Sequence, residues 1–123
     1  MFEQQADLFK ALADPMRLRI LALLRIREAC VCELAGLLPI TQPAVSQHLR
    51  KLRQAGLIQE RRHKYWTYYA LRTDLAPAVA ALIAQLPHVE ADEAWLTGHQ
   101  VDTSCQVLVP TESPAVTGSA LND

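Results

Sequence analysis

Cys30 and Cys32 stand two positions apart in the run Glu28-Ala-Cys-Val-Cys-Glu-Leu, and a third cysteine, Cys105, lies far downstream. Thiolates are soft ligands that select soft or borderline ions, and a helix N-terminus lowers a thiol's pKa and raises its thiolate fraction. The pair therefore reads as a sensor for a thiol-seeking ion. Three cysteines are an odd number and a reducing compartment argues against a disulfide framework, which turns the reading to thiol chemistry or metal ligation, with burial of the thiols as small hydrophobes the plain alternative. On a regular helix each residue advances by about 100°, so residues two apart point to nearly opposite sides. Both sulfurs could then grip one ion only if the first turn were irregular or unwound.

A second set of side chains suits a nucleic-acid duplex. Gln42 and Gln47 match adenine edges, Ser46 donates or accepts at several bases, and Arg50 reaches guanine or phosphate, with Thr41 at the start of the same segment. Lys51, Arg53, Arg61, Arg62 and Lys64 are suited to phosphates, which supply affinity and salt dependence rather than sequence choice. His48 falls toward the side of Val45 and Leu49 and reads as a packed histidine rather than a base contact. Tyr65, Trp66, Tyr68 and Tyr69 read as strand packing rather than base-stacking groups. His88 and His99, with Glu90, Asp92 and Glu93, read as acidic surface in preference to a hard-ion or zinc site.

These groups need elements to hold them. Leu8, Phe9 and Leu12 recur at helical spacing and predict a first short helix. Asp14-Pro15 stops it and caps a second, running to about Ile26, with Leu18, Ile20, Leu21, Leu23 and Leu24 in the core and Arg17, Arg19, Arg25 and Arg27 outside or flanking. A third helix is expected over roughly Cys32 to Leu38, and a fourth from the Thr41 cap to about Ala55, closed by Gly56. Val45, Leu49 and Leu52 turn its inner face to the core. Leu57 to Leu71 reads as a β-hairpin with a basic centre, its turn type unspecified by any Gly or Asn-Gly. Leu75 to Leu86 returns to an apolar helix with more apolar surface than a terminal helix exposes, so pairing with a second copy is expected. Beyond Pro87 the chain is polar and acidic with little pattern.

A chain of 123 residues, half of them hydrophobic, suits one compact core. The expected division is a DNA-binding and dimerisation domain over 1–87 and an acidic tail over 88–123. All twelve Lys and Arg residues lie at or before Arg72, where they outnumber the acids of residues 1–74 twelve to seven, while the remainder carries six acids and no base. That asymmetry suits a polyanion-binding body with an acidic tail. Residues 1–10 lack the apolar core of a signal peptide, and the longest apolar stretch, Ala76 to Ala84, falls short of the roughly 20 residues a spanning helix needs, so a soluble cytoplasmic protein is expected.

Two helices joined by a tight turn, the second with an exposed polar face, followed by a basic hairpin, have the order of a winged helix-turn-helix. The fold expected is mainly α with a β-hairpin wing, homodimeric through terminal helices. Phe9-Lys-Ala-Leu-Ala-Asp-Pro-Met-Arg-Leu-Arg-Ile-Leu, Glu28-Ala-Cys-Val-Cys-Glu-Leu, Thr41-Gln-Pro-Ala-Val-Ser-Gln-His-Leu and Leu52-Arg-Gln-Ala-Gly-Leu-Ile resemble the successive signatures of ArsR/SmtB repressors, over roughly residues 5–86. The resemblance implies a homodimer on a palindromic operator of double-stranded DNA, recognition helices in successive major grooves, wing tips on the flanking backbone, and an inducer that weakens DNA binding. The Cys-Val-Cys box is similar to the arsenite- and antimonite-sensing box of the ArsR branch, which implies As(III) or Sb(III) as the inducer and no organic cofactor. That box continues with a third cysteine where this chain has Ala35. A trivalent pnictogen prefers three sulfurs, which makes Cys105, from the same or the partner chain, the candidate third ligand. Two thiolates alone would suit an organoarsenical or a linear mercury complex. Ion capture would then distort the helix that braces the recognition helix.

Two rival readings are weaker. A redox-sensing repressor of the same fold would use oxidation of Cys30, Cys32 or Cys105. A thiol-dependent arsenic-processing enzyme would use Cys30 as nucleophile and Cys32 as the resolving thiol, but Cys-x-Cys lacks the common Cys-x-x-Cys redox spacing and no phosphate-type loop is present.

Overall fold

In the computed structural model, which describes residues 1–98, the chain runs α1 (Glu3–Leu12), α2 (Pro15–Leu24), β1 (Ala29–Cys30), α3 (Val31–Leu37), α4 (Gln42–Gln54), β2 (Ile58–His63), β3 (Trp66–Leu71), α5 (Pro77–Ala84) and α6 (Glu90–Gly98). The mainly helical fold with an antiparallel hairpin is the expected one. Its helix starts follow from local chemistry. Asp14 accepts the backbone N–H groups of Met16 at 2.8 Å and Arg17 at 3.2 Å, with Pro15 in the first turn of α2. Thr41 accepts from the N–H of Ala44 at 3.3 Å at the head of α4. Gly56, at φ 78°, ends that helix in the left-handed region, where a Cβ is disfavoured.

The core is built from Ile20, Leu21 and Leu23 of α2, Leu34 of α3, Val45, Leu49 and Leu52 of α4, Leu57 and Ile58 at the root of the hairpin, and Leu96 of α6. α3 packs against α4, and α2 packs against both α4 and β3. The helix-turn-helix thus rests on α2. The hairpin pairs Ile58 with Leu71 through to His63 with Trp66, and Lys64 takes φ 58° in its two-residue connection. A positive φ there matches the twist that two-residue hairpin loops require.

Two elements have no signal in the sequence pattern. β1 is two residues long and pairs antiparallel with β3, Ala29 opposite Tyr69 and Cys30 opposite Tyr68, giving a three-stranded sheet in the order β1-β3-β2. α6 occupies part of the stretch expected to lack pattern, buries Leu96 and Asp92, and sets Trp95 against Gly36 of α3. The arginines expected outside α2 are turned to partners within the chain instead. Arg19 grips Asp92 through two bonds of 2.8 and 2.7 Å, and Arg25 caps the end of α5 by donating to the carbonyls of Ile83 and Leu86 at 3.0 and 2.8 Å. Arg27 donates to Leu96 O at 3.2 Å and to Glu33 at 3.0 Å. Two of these guanidinium groups, those of Arg19 and Arg27, thereby supply partners to the buried carboxylates of Asp92 and Glu33.

Candidate thiol site and DNA interface

Cys30 is both the last residue of β1 and the N-cap of α3, in extended conformation at φ −96° and ψ 169°. Cys32 is the second residue of the helix and its sulfur is in a disulfide, which leaves Cys30 as the thiol of the pair among the described residues. Because only one of the two sits on the helix, the 100° rule that would separate them does not apply, and their sulfurs approach to 3.7 Å. Of the two expected routes, an irregular or an unwound first turn, the structure has the first: the strand-to-helix junction brings the pair together without unwinding. Bonds of roughly 2.3 Å from one ion to two thiolates, opening at about a tetrahedral angle, span about 3.7 Å.

The expected lowering of the thiol pKa is corrected for Cys30. It is only 3 % exposed, and burial, with the Glu33 carboxylate beside it, pushes its thiol up to about 12. Desolvation outweighs the helix terminus. Glu33 is itself buried and accepts the Cys30 backbone N–H at 3.1 Å, while Arg27 neutralises it at 3.0 Å. Tyr68, across the sheet from Cys30, is likewise pushed up to about 12, chiefly by burial and then by the neighbouring Cys30 and Glu33. Among the described residues no three His, Cys, Asp or Glu side chains converge as a metal site, so the described pair supplies two sulfurs. Cys105 lies outside the described residues. His88 pairs with Glu93 at 2.6 Å and Asp92 with Arg19, so these groups are committed to one another, and His99 is also outside the described residues.

The polar face of α4 is open. Thr41, Gln42, Ser46, Gln47, Arg50, Lys51 and Arg53 are exposed, while Val45, Leu49 and Leu52 are buried. On the hairpin Arg61, Arg62 and Lys64 are exposed. Two of these bases carry acidic partners that the sequence did not announce: Arg53 pairs with Glu60 at 2.6 Å, and Arg61 pairs with Glu28 and lies over the Tyr68 ring at 5.2 Å. His48 is half-buried, with Nδ1 3.4 Å from the Arg17 guanidinium, as a packed histidine should be. Trp66, Tyr68 and Tyr69 are half-buried on β3, whereas Tyr65 at the hairpin tip is exposed. Glu33 and Tyr68 neighbour Cys30, with Arg27 on Glu33 and Glu28 on Arg61 behind them, and none of the four was read from the sequence as a site residue. Glu33 alone had a readable signal, a Glu three residues after a helix cap; the others meet the site only through tertiary structure.

Residues 14–60 match the model of the bacterial regulatory proteins of the arsR family. The arsenical resistance operon repressor of Escherichia coli is 44% identical over 90 residues, covering 72% of this chain and 70% of its own. The structure is similar to HlyU from Vibrio cholerae, with a TM-score of 0.60 at 37% identity, over 68% of this chain and 88% of that one. It is also similar to the homodimeric winged helix-turn-helix domain of a possible ArsR-family regulator from Mycobacterium bovis, with a TM-score of 0.59 at 34% identity, over 68% and 74% of the two chains. The exposed polar helix, the basic hairpin and these likenesses agree: this chain belongs to the ArsR family of transcriptional regulators and has its winged helix-turn-helix fold.

Proposed function

We propose that this chain is a homodimeric operator-binding repressor, acting in the cytoplasm, that leaves its DNA when Cys30 and Cys32 capture arsenite or antimonite. The observation that carries this reading is the 3.7 Å approach of the two sulfurs at the strand-to-helix junction. Once a thiol reductant has returned Cys32 to its thiol, the reductant being oxidised to its own disulfide, arsenous acid condenses with the two thiols to give a dithiolate, the two thiol protons leaving with two hydroxides as two waters. The reaction needs no prior thiolate, so a protonated Cys30 is compatible with it. A third thiol, Cys105 of the same or the partner chain, would displace the remaining hydroxide as a third water. The family's arsenical-resistance repressor from Escherichia coli supports this choice of ion.

On the DNA side, Gln42, Ser46, Gln47 and Arg50 would read base edges in the major groove, with Thr41, Lys51, Arg53, Arg61, Arg62 and Lys64 on phosphates. No catalytic step or organic cofactor enters this scheme. A second reading, redox release, draws on the same sulfur approach. Hydrogen peroxide would take two electrons and two protons from the thiols, leaving a disulfide and two waters.

Operator-release titrations with As(III), Sb(III), Hg(II), Cd(II) and Zn(II) under reducing conditions test both. Cys30→Ser and Cys32→Ser should give DNA-bound, inducer-blind proteins, and Cys105→Ser should weaken the response to the trivalent ions. If all three variants respond as wild type does, the thiol site is wrong. Release by oxidant alone would establish the second reading in place of the first.

A further inference from the structure

Cys30, Tyr68 and Arg61 stand in one row across the three strands, Cys30 opposite Tyr68 and Tyr68 opposite Arg61. Residues directly opposite in neighbouring strands present their side chains on the same face. Arg61 lies over the Tyr68 ring at 5.2 Å and returns to the thiol segment, its Nε donating to Glu28 at 3.1 Å and its Nη2 completing the pair. Glu28 is two residues before Cys30, next to β1. The row and the return contact therefore close a ring, Cys30 to Tyr68 to Arg61 to Glu28, joining the sulfur-bearing strand to the basic hairpin.

We infer that Glu28 is a positioning residue that ties the aim of Arg61, and with it the hairpin's grip on the DNA backbone, to the position of the thiol strand. The inference rests on the thiol reading proposed above and adds a route for its signal. An ion bound to Cys30, which is 3 % exposed, needs room that the packed junction does not leave, and because Cys30 is at once a strand residue and a helix cap, β1 cannot make that room without disturbing its pairing with β3. Glu28 moves with β1, and Arg61, held by it, is carried off the line of the phosphates. Arg61 is about half exposed in its side chain and Glu28 somewhat less, so the pair is within reach of a DNA backbone that competes for the same guanidinium.

Glu28→Gln keeps the side chain's size and removes its charge, and Glu28→Ala removes the contact altogether. Three measurements on the full-length protein separate coupling from simple folding. Arsenite binding, followed by thiolate-to-metalloid absorption, should stay within about twofold of wild type. Operator affinity without arsenite should be equal or higher, because Arg61 reaches its phosphate without first giving up Glu28. The ratio of operator Kd with saturating arsenite to that without should shrink at least fivefold in both variants. Normal arsenite binding with an unchanged ratio would overturn the inference, as would loss of operator binding before any arsenite is added. Failure of the wild-type protein itself to bind arsenite would instead bring down the thiol reading, and this inference with it.

Discussion

Cys30 holds its proton because burial denies the thiolate water and Glu33 adds a like charge beside it, the two together raising its pKa to about 12. The sign of the consequence follows from linkage. An unfolded thiol titrates near 8.5, so between about pH 8.5 and about pH 12 the unfolded chain binds fewer protons than the folded one, and stability falls as pH rises, by up to about 1.4 kcal/mol per unit. Below that window the contribution is fully present. Cys30→Ala should flatten this part of the profile, read as the difference in urea midpoints between wild type and variant. The same proton sorts ions. Cadmium must expel it into solvent, so its apparent affinity should climb by at least about tenfold per unit from about pH 6 to about pH 8, whereas arsenous acid, which takes the proton away as water, should show a nearly level profile. Competition titrations at several pH values would show this; parallel slopes for the two ions would mean that Cys30 is not a ligand to both.

At the scale of elements, the proposed function has α4 and the hairpin divide the work on DNA between sequence choice and affinity. Gln47 is exposed on the polar face of α4, and its loss to Ala should reduce discrimination between the operator and a scrambled duplex by about 1–3 kcal/mol. Lys64→Ala, at the hairpin turn, should lower affinity for both duplexes alike and take about one counterion from the salt slope. Identical, uniform losses for the two variants would refute the division. α4 was legible because capping at Thr41, the apolar spacing of Val45, Leu49 and Leu52, and the stop at Gly56 all act within a few residues of each other. β1 was not, since two residues carry no period and their pairing is set by β3, nearly forty residues away. α6 was missed for a related reason: its hold on the body comes from Leu96, from Trp95 against Gly36 and from the Arg19–Asp92 pair, none of them local. Arg19→Ala tests that hold. It leaves a carboxylate only 5 % exposed without its partner, at a cost of about 3 kcal/mol, seen as a lower urea midpoint and faster amide exchange in α6 than in α4. Equal exchange changes in both helices would mean that the pair supports the whole core rather than α6.

At the scale of the whole molecule, the described residues leave apolar surface that one copy does not use. Of the eight residues of α5 only Ile83 is buried, Leu82 is 44% exposed, and on α1 Phe9 is 67% exposed. Exposed apolar area of this kind suits the proposed homodimer, in which a two-fold axis makes one such patch serve two chains. A homodimeric relative with the same fold supports that use. Dimerisation also matters to DNA binding by arithmetic. Once one recognition helix is seated, the second binds at an effective concentration set by the dimer rather than by bulk protein, provided the half-sites lie one helical turn apart. Leu82→Glu places a charge in the middle of the α5 face without touching α4, the hairpin or the thiols. Sedimentation should then report monomers, operator affinity should fall more than tenfold, and arsenite should still bind wherever both its sulfurs come from one chain. Loss of arsenite binding together with the dimer would instead mean that the site draws a ligand across the interface, as a third sulfur from the partner's tail would require; a variant that stayed dimeric would move the interface away from α5.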